Sequence, residues 1–229
     1  MISKLLSTAV KLYLRSQVKQ VENLQVKIVG RDRQILQGYI PQIFLSCTHA
    51  EYRGLCLSQV ELNGSDIAFN LLEVVKKKPL KLLEPIFVRV QLKIDAADLQ
   101  ASLDSPLLQS GLDDLWQMVL SASTNTSLAE WDCSTIKWSR MAIANNKLNL
   151  FGIHQGIFGE VKEVYLSTGI ELADNHTLCL HPWQIVSESC SSDGLQPELK
   201  IDLGKDVAIE QLLIESEHIV CLGKIKVNN

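Results

Sequence analysis

Positive charge is in short supply. The 229-residue chain has 22 Lys and Arg against 26 Asp and Glu, a formal net charge of −4. A nucleic-acid binder ordinarily carries a basic domain or stripe, so no nucleic-acid partner is expected. Paired cysteine motifs are also lacking. Cys47, Cys56, Cys133, Cys179, Cys190 and Cys221 are scattered, with no C-x-x-C pair. In a chain of this length they read as reduced, mostly buried thiols of a reducing compartment. No segment is long and apolar enough to span a bilayer as a helix. After Met1-Ile2-Ser3-Lys4 the apolar stretch runs only to Val10, and Lys11 and Arg15 break the pattern beyond it, unlike a signal peptide. The expectation is a chain that starts here and works in the cytoplasm or on the cytoplasmic face of a membrane.

The motifs of common catalysis are missing as well. There is no G-x-G-x-x-G, no Walker-type G-K-S/T, no G-x-S-x-G and no H-E-x-x-H. His176, Cys179 and His181 form the nearest metal-like cluster. On a strand, parity turns His176 away from the other two, so no metal is expected. His49, His154 and His218 are isolated. Asp95, Asp98 and the pair Asp113-Asp114 read as helix caps and solvated positions. Trp116, Trp138 and Trp183 read as core or rim residues. Trp131, beside a polar loop, has a second reading as an interfacial anchor. No enzyme and no cofactor are expected.

What is present is patterning. From Ile2 to Val21 the spacing predicts a helix with Lys4, Lys11, Arg15 and Lys19 on one narrow stripe and Ile2, Leu5, Leu6, Ala9, Val10, Leu12, Tyr13 and Leu14 on a broad apolar face opposite. Such a helix either docks on its own domain's core or lies on an anionic membrane. Strands come after it. Leu24, Val26 and Ile28 alternate with polar residues, as do Ile43, Leu45 and Cys47. Parity switches near Ser58-Gln59, which predicts a bulge or bend. The clearest alternation sets Ile86, Val88, Val90, Leu92 and Ile94 against Phe87, Arg89, Gln91 and Lys93. Asp95 is read as the cap of a short helix. Ser105-Pro106 reads as an N-cap and first helical proline, opening a helix with Leu108, Leu112, Leu115, Trp116 and Val119 on one face. Later strands are read at Leu148 to Leu150, Val161 to Leu166, Leu178 to Leu180, Leu199 to Leu203 and Lys224 to Val227. Ile209 to Leu222 is read as a hairpin turning at Ser216-Glu217. Gly30, Gly38, Gly54, Gly64, Gly152, Gly156, Gly159 and Gly169 read as recurrent turns. The order is 1–22 amphipathic helix, 24–94 strands, 95–120 helices and 134–229 strands, an α+β class with antiparallel pairing in one domain.

Many one-sided strands face few helices. An apolar sheet face left uncovered is a natural seat for acyl chains, although a self-filled core gives the same alternation. The run Lys76-Lys77-Lys78, with Lys81 after it, is the main charge feature of this acidic chain. It reads as a solvated loop or as a contact for phosphate headgroups.

Four runs carry a resemblance. The first two are Gly30-Arg31-Asp32-Arg33-Gln34-Ile35-Leu36-Gln37-Gly38 and Tyr52-Arg53-Gly54-Leu55-Cys56-Leu57-Ser58-Gln59-Val60-Glu61-Leu62. Lys78-Pro79-Leu80-Lys81-Leu82-Leu83-Glu84-Pro85 and Asp98-Leu99-Gln100-Ala101-Ser102-Leu103-Asp104-Ser105-Pro106-Leu107-Leu108 come next. Together they resemble the LmeA-like phospholipid-binding family, specifically its cyanobacterial branch, over about Leu24 to Val227. The resemblance implies a fold similar to the tubular lipid-binding proteins, a long curved antiparallel sheet wrapped around a central helix with an apolar groove. It supplies no catalytic residues. The mycobacterial member that gives the family its name is an exported envelope protein, and this chain shows no secretion signal. Export and a role in envelope glycan synthesis are therefore not carried over.

The expected function is non-enzymatic binding, or shuttling, of phospholipid by a protein peripheral to a membrane. Candidate groove residues are Ile86, Val88, Val90, Leu92, Ile94, Leu108, Leu112 and Trp116. Candidate contacts to an anionic membrane surface are Lys4, Lys11, Arg15, Lys19, Lys76, Lys77, Lys78 and Lys81. The alternatives are a membrane-associated protein scaffold with a filled core, and a lipid hydrolase. Oligomeric state is left open.

Overall fold

A computed structural model of the chain describes residues 2–71, 81–122, 136–155, 160–187, 190–191 and 197–228. Helix α1 (Ile2–Gln17) leads into strand β1 (Gln20–Val29), the short helix α2 (Asp32–Leu36), β2 (Tyr39–Tyr52), β3 (Leu55–Ala68) and β4 (Ile86–Asp95). Helices α3 (Ala96–Ala101) and α4 (Pro106–Ala122) come next. The chain continues through β5 (Ile136–Ala144), β6 (Lys147–Gln155), β7 (Val161–Leu172), β8 (Thr177–Ser187), β9 (Cys190–Ser191), β10 (Leu199–Asp202), β11 (Val207–Ile214) and β12 (His218–Val227). The class is α+β with antiparallel sheets, as the order of elements predicts. Among the described residues the strands form two sheets, where the sequence reading had one long one. The first runs β1-β2-β3-β4-β12-β11 and the second β10-β8-β7-β6-β5, with β9 on β8.

Each sheet has its own helical cover. The apolar face of α4 buries Leu112, Leu115, Trp116 and Val119 against Trp138, Met141, Leu150, Leu166 and Ile185 of the second sheet. Trp116 meets Trp138 edge-on, with ring centroids 6.2 Å apart and planes at 80°, a favoured aromatic geometry. Leu6 and Val10 of α1, and Ile35 of α2, pack on Ile28, Ile40, Ile67, Ile86 and Val88 of the first sheet.

Helix α3 ties the sheets together. Ser102 Oγ accepts from the Cys56 amide of β3 at 2.8 Å. Gln100 reaches the other way: its Oε1 accepts from the Met141 amide at 2.7 Å, and its Nε2 donates to the Ser139 carbonyl at 3.3 Å, both on β5. Ser105 caps α4 as expected, its Oγ accepting from the Leu108 amide at 3.1 Å.

Several expectations change. The first helix ends at Gln17, not near Val21, because the Lys19 amide already donates to the Glu51 carbonyl at 3.0 Å and begins strand pairing. Asp95 makes no side-chain cap bond to α3. Its carboxylate holds Lys93 at 2.9 Å instead. The parity switch at Ser58 is no bulge, since β2 and β3 stay in register through it. Ser58 itself takes the inward position. Gly64, Gly152 and Gly169 lie inside β3, β6 and β7 rather than in turns, and Gly156 and Gly159 fall outside the described residues. The hairpin at residues 209–222 forms as read, with the Glu215 amide donating to the His218 carbonyl at 2.9 Å across the turn.

Candidate functional site

Strand alternation sends one parity of the first sheet inward. On β4, Ile86 and Val88 are buried while Val90, Leu92 and Ile94 are half-buried. Phe87, at 64% exposure, and Arg89 point outward. Register extends the inward parity across the sheet. Val26 lies opposite Leu45, Leu45 opposite Leu62, Leu62 opposite Val90, and Val90 opposite Gly223. The next row holds Cys47, Val60, Leu92 and Cys221. Gly223 is dictated by a close approach, because a Cβ there would stand 2.5 Å from the Ala208 carbonyl oxygen.

The eight candidate groove residues do not share one surface. Ile86 and Val88 lie in the cluster under α1 and α2, with Val90 against it. Leu92 packs on the group of Leu24, Cys47, Ala50 and Val60. Ile94 joins Leu108, Leu112 and Trp116 around α4. Strand β4 therefore runs from one helical cover to the other. Toward the middle of the inner face, where Leu14 of α1 also packs, Val26, Leu45, Leu62, Val90 and Leu92 are half-buried. Burial pushes the Cys47 and Cys221 thiols up from their ordinary pKa, so both present neutral, weakly polar sulfur to this face.

Three surface hollows are also present. One, of about 670 Å³, is lined mainly by outward-parity residues of the first sheet, Lys27, Phe44, Glu61, Asn63, Arg89 and Gln91 among them, together with Leu45 and Leu62 of the inner row. A second, of about 780 Å³, lies where the β2–β3 turn meets the start of α4, with Arg53, Gly54, Ser105 and Leu107 in its wall. A third, of about 600 Å³, flanks the β11–β12 turn.

Of the candidate headgroup contacts, Arg15 is exposed and Lys11 half-buried on α1. Lys19 is committed to Glu51, with Nζ 2.9 Å from Oε1. That carboxylate raises its pKa by hydrogen bond and charge. Lys81 is exposed, and its amide donates to Asn70 Oδ1 at 2.7 Å. The side chain of Lys4, and Lys76, Lys77, Lys78 and Trp131, lie outside the described residues. His176 sits before β8 with its Nδ1 against the Val207 carbonyl. Among the described residues no three His, Cys, Asp or Glu side chains converge on a metal position, and no helix is long and apolar enough to cross a membrane.

The candidate groove set took β4 alone from the first sheet and left out its neighbours on the inner face. Val26, Leu45 and Leu62 carry the same alternation as β4, and that signal was available. The sequence reading also grouped Leu12 and Tyr13 with the apolar face of the first helix. In the structure both are exposed, at 64% and 54%.

The family model described as LmeA-like phospholipid-binding matches residues 1–224. No curated protein and no solved structure matches the chain.

Proposed function

The chain belongs to the LmeA-like phospholipid-binding family, and from that premise we propose that it binds phospholipid without chemistry, at a membrane surface, with acyl chains against the inner face of the first sheet. The observation that carries the proposal is the family match over nearly the whole chain. The half-buried middle of the inner face supports it, because aliphatic side chains gain further burial from an acyl chain laid on them. Val90, Leu92 and Ile94 form the floor in this reading, with Ile86 and Val88 beneath α1. Leu108, Leu112 and Trp116 form the far wall. The two sheets act as one curved wall around α4, within a single domain. Ile94, Ile214 and Ile219 of the first sheet reach the cluster of α4, which supports that arrangement. In its stronger form the proposal has the protein carry lipid between membranes.

A scaffold with a filled core is the second reading, favoured by the burial of Ile86 and Val88 under α1 and α2. One experiment separates the two. Protein purified from cells is extracted with organic solvent and the extract examined by mass spectrometry. Phospholipid at near-stoichiometric amount is expected. Val90→Trp, which fills the half-buried row, is expected to lower that amount while the fold is retained by circular dichroism. Lipid-free native protein that also takes up none from added liposomes rules the binding proposal out.

A further inference from the structure

Helix α1 carries more apolar surface than its docking uses. At about 100° per residue, Leu6, Val10 and Leu14 fall within one arc, and among the described side chains of α1 these pack on the first sheet. Leu12 projects nearly opposite Val10, and Tyr13 lies on the flank. A helix that only covers its own core places polar residues on the outward side. Here Leu12 on the outward side and Tyr13 on the flank are both large apolar side chains left exposed, at 64% and 54%.

Charge is segregated on the same segment. The chain as a whole is acidic, yet the 21 residues before Glu22 hold Lys4, Lys11, Arg15 and Lys19 and no carboxylate. Lys19 is held by Glu51, while Arg15 is exposed beside Leu12. Exposed Leu and Tyr next to Lys and Arg is the composition of a helix lying in the interface of an anionic bilayer. A second copy of the chain fits poorly. Two such helices face to face would set Lys11 and Arg15 against their own counterparts, with no carboxylate on either helix to offset them.

We propose that α1 is the membrane-docking element, inserting Leu12 and Tyr13 while Lys11 and Arg15 meet anionic headgroups and Leu6, Val10 and Leu14 stay on the first sheet. The inference rests on the reading that the protein works at a membrane, and it adds which surface meets the bilayer.

The test is co-sedimentation of the full chain with vesicles of equal parts phosphatidylcholine and phosphatidylglycerol, and with phosphatidylcholine alone. Wild-type protein is expected to bind the mixed vesicles and bind the neutral ones far more weakly. The double variant Leu12→Ser/Tyr13→Ser is expected to lower partitioning by about tenfold or more. Lys11→Gln/Arg15→Gln is expected to lower it by about fivefold per charge on mixed vesicles only. Phe87→Ser, equally exposed but on the outward face of the first sheet, is expected to bind as wild type. All variants alter exposed or half-buried positions, so their melting temperatures are expected to match wild type. Wild-type binding by the Leu12/Tyr13 variant overturns the proposal, as does an equal loss in Phe87→Ser. A concentration-dependent dimer that Leu12→Ser dissociates overturns it in favour of a second copy. Lipid content of the same preparations separates this inference from lipid binding itself. Protein that carries phospholipid yet binds no vesicle sinks the docking surface alone, and protein that binds vesicles through α1 yet carries no lipid sinks the groove alone.

Discussion

Ser58 occupies a place that strand alternation reserves for an aliphatic side chain. Its Oγ donates to Asp98 Oδ2 at 2.5 Å and accepts from the Asp95 amide at 2.7 Å. One buried hydroxyl thereby ties β3 to the junction of β4 and α3. Ser58→Ala strands that amide and is expected to cost about 1–3 kcal/mol, read as a shift in the urea midpoint at constant slope. Carboxylates tell a related story. A hydrogen bond from Lys93 holds Asp95 below the ordinary range, the His176 amide does so for Asp174, and Lys224 does so for Glu210. A lowered folded-state pKa stabilises the protein above the unfolded value, and that contribution is lost as pH falls through the folded one. The contribution of these three is therefore expected to hold above about pH 4.5 and to fade below it, near the unperturbed carboxylate values. A pH series of thermal melts checks this, with Glu210→Gln flattening the acid limb. The inward face of β4 was legible from its alternation. The Lys19–Glu51 pair was not, since its partners are joined only by the β1–β2 register.

Elements were legible where period and caps agree. Strand β4, the apolar face of α4 and the Ser105 cap are read directly from spacing. Strand β5 lies in the span read as strands but was not singled out, because a register shift between Trp138 and Arg140 moves its inward set from Ile136 and Trp138 to Met141 and Ile143, which erases a single parity. Helix α2 has five residues, too few for a 3.6-residue period to show. Turn chemistry is sharper. Gly54 has φ of +85°, and a Cβ there would lie 2.8 Å from Ser105 Cβ. Gly54→Ala is expected to cost roughly 1–3 kcal/mol through the left-handed backbone and to disturb the start of α4, visible as a lowered melting temperature. Gln100→Ala removes the side chain that occupies the Ser139 carbonyl and Met141 amide on β5. Amide exchange at Met141 is expected to quicken, whereas exchange at Leu150 in the neighbouring strand stays slow.

At the scale of the molecule, the first sheet is completed by the end of the chain. Val88 pairs with Ile225, and Ile94 with Ile219. Sequence could read both strands but not their partnership, which depends on which edge of β4 is left open after β3 has paired. It likewise could not assign which helices cover which sheet. A chain stopped after Gly204 is expected to lose cooperative unfolding, because it leaves β4 as a long apolar edge and removes Ile214 and Ile219 from the cluster around α4. Near-ultraviolet circular dichroism and a denaturant titration check this. The same pairing sets a folding order. Contacts so distant in sequence form late and slowly, since loop closure precedes any reward from pairing. During synthesis β4 is released with one edge and a half-covered apolar face exposed until residues 218–227 emerge. A nascent intermediate of that kind is prone to aggregate. Yield in a cell is therefore expected to depend on chaperone capacity and growth temperature more steeply than the stability of the finished protein would suggest.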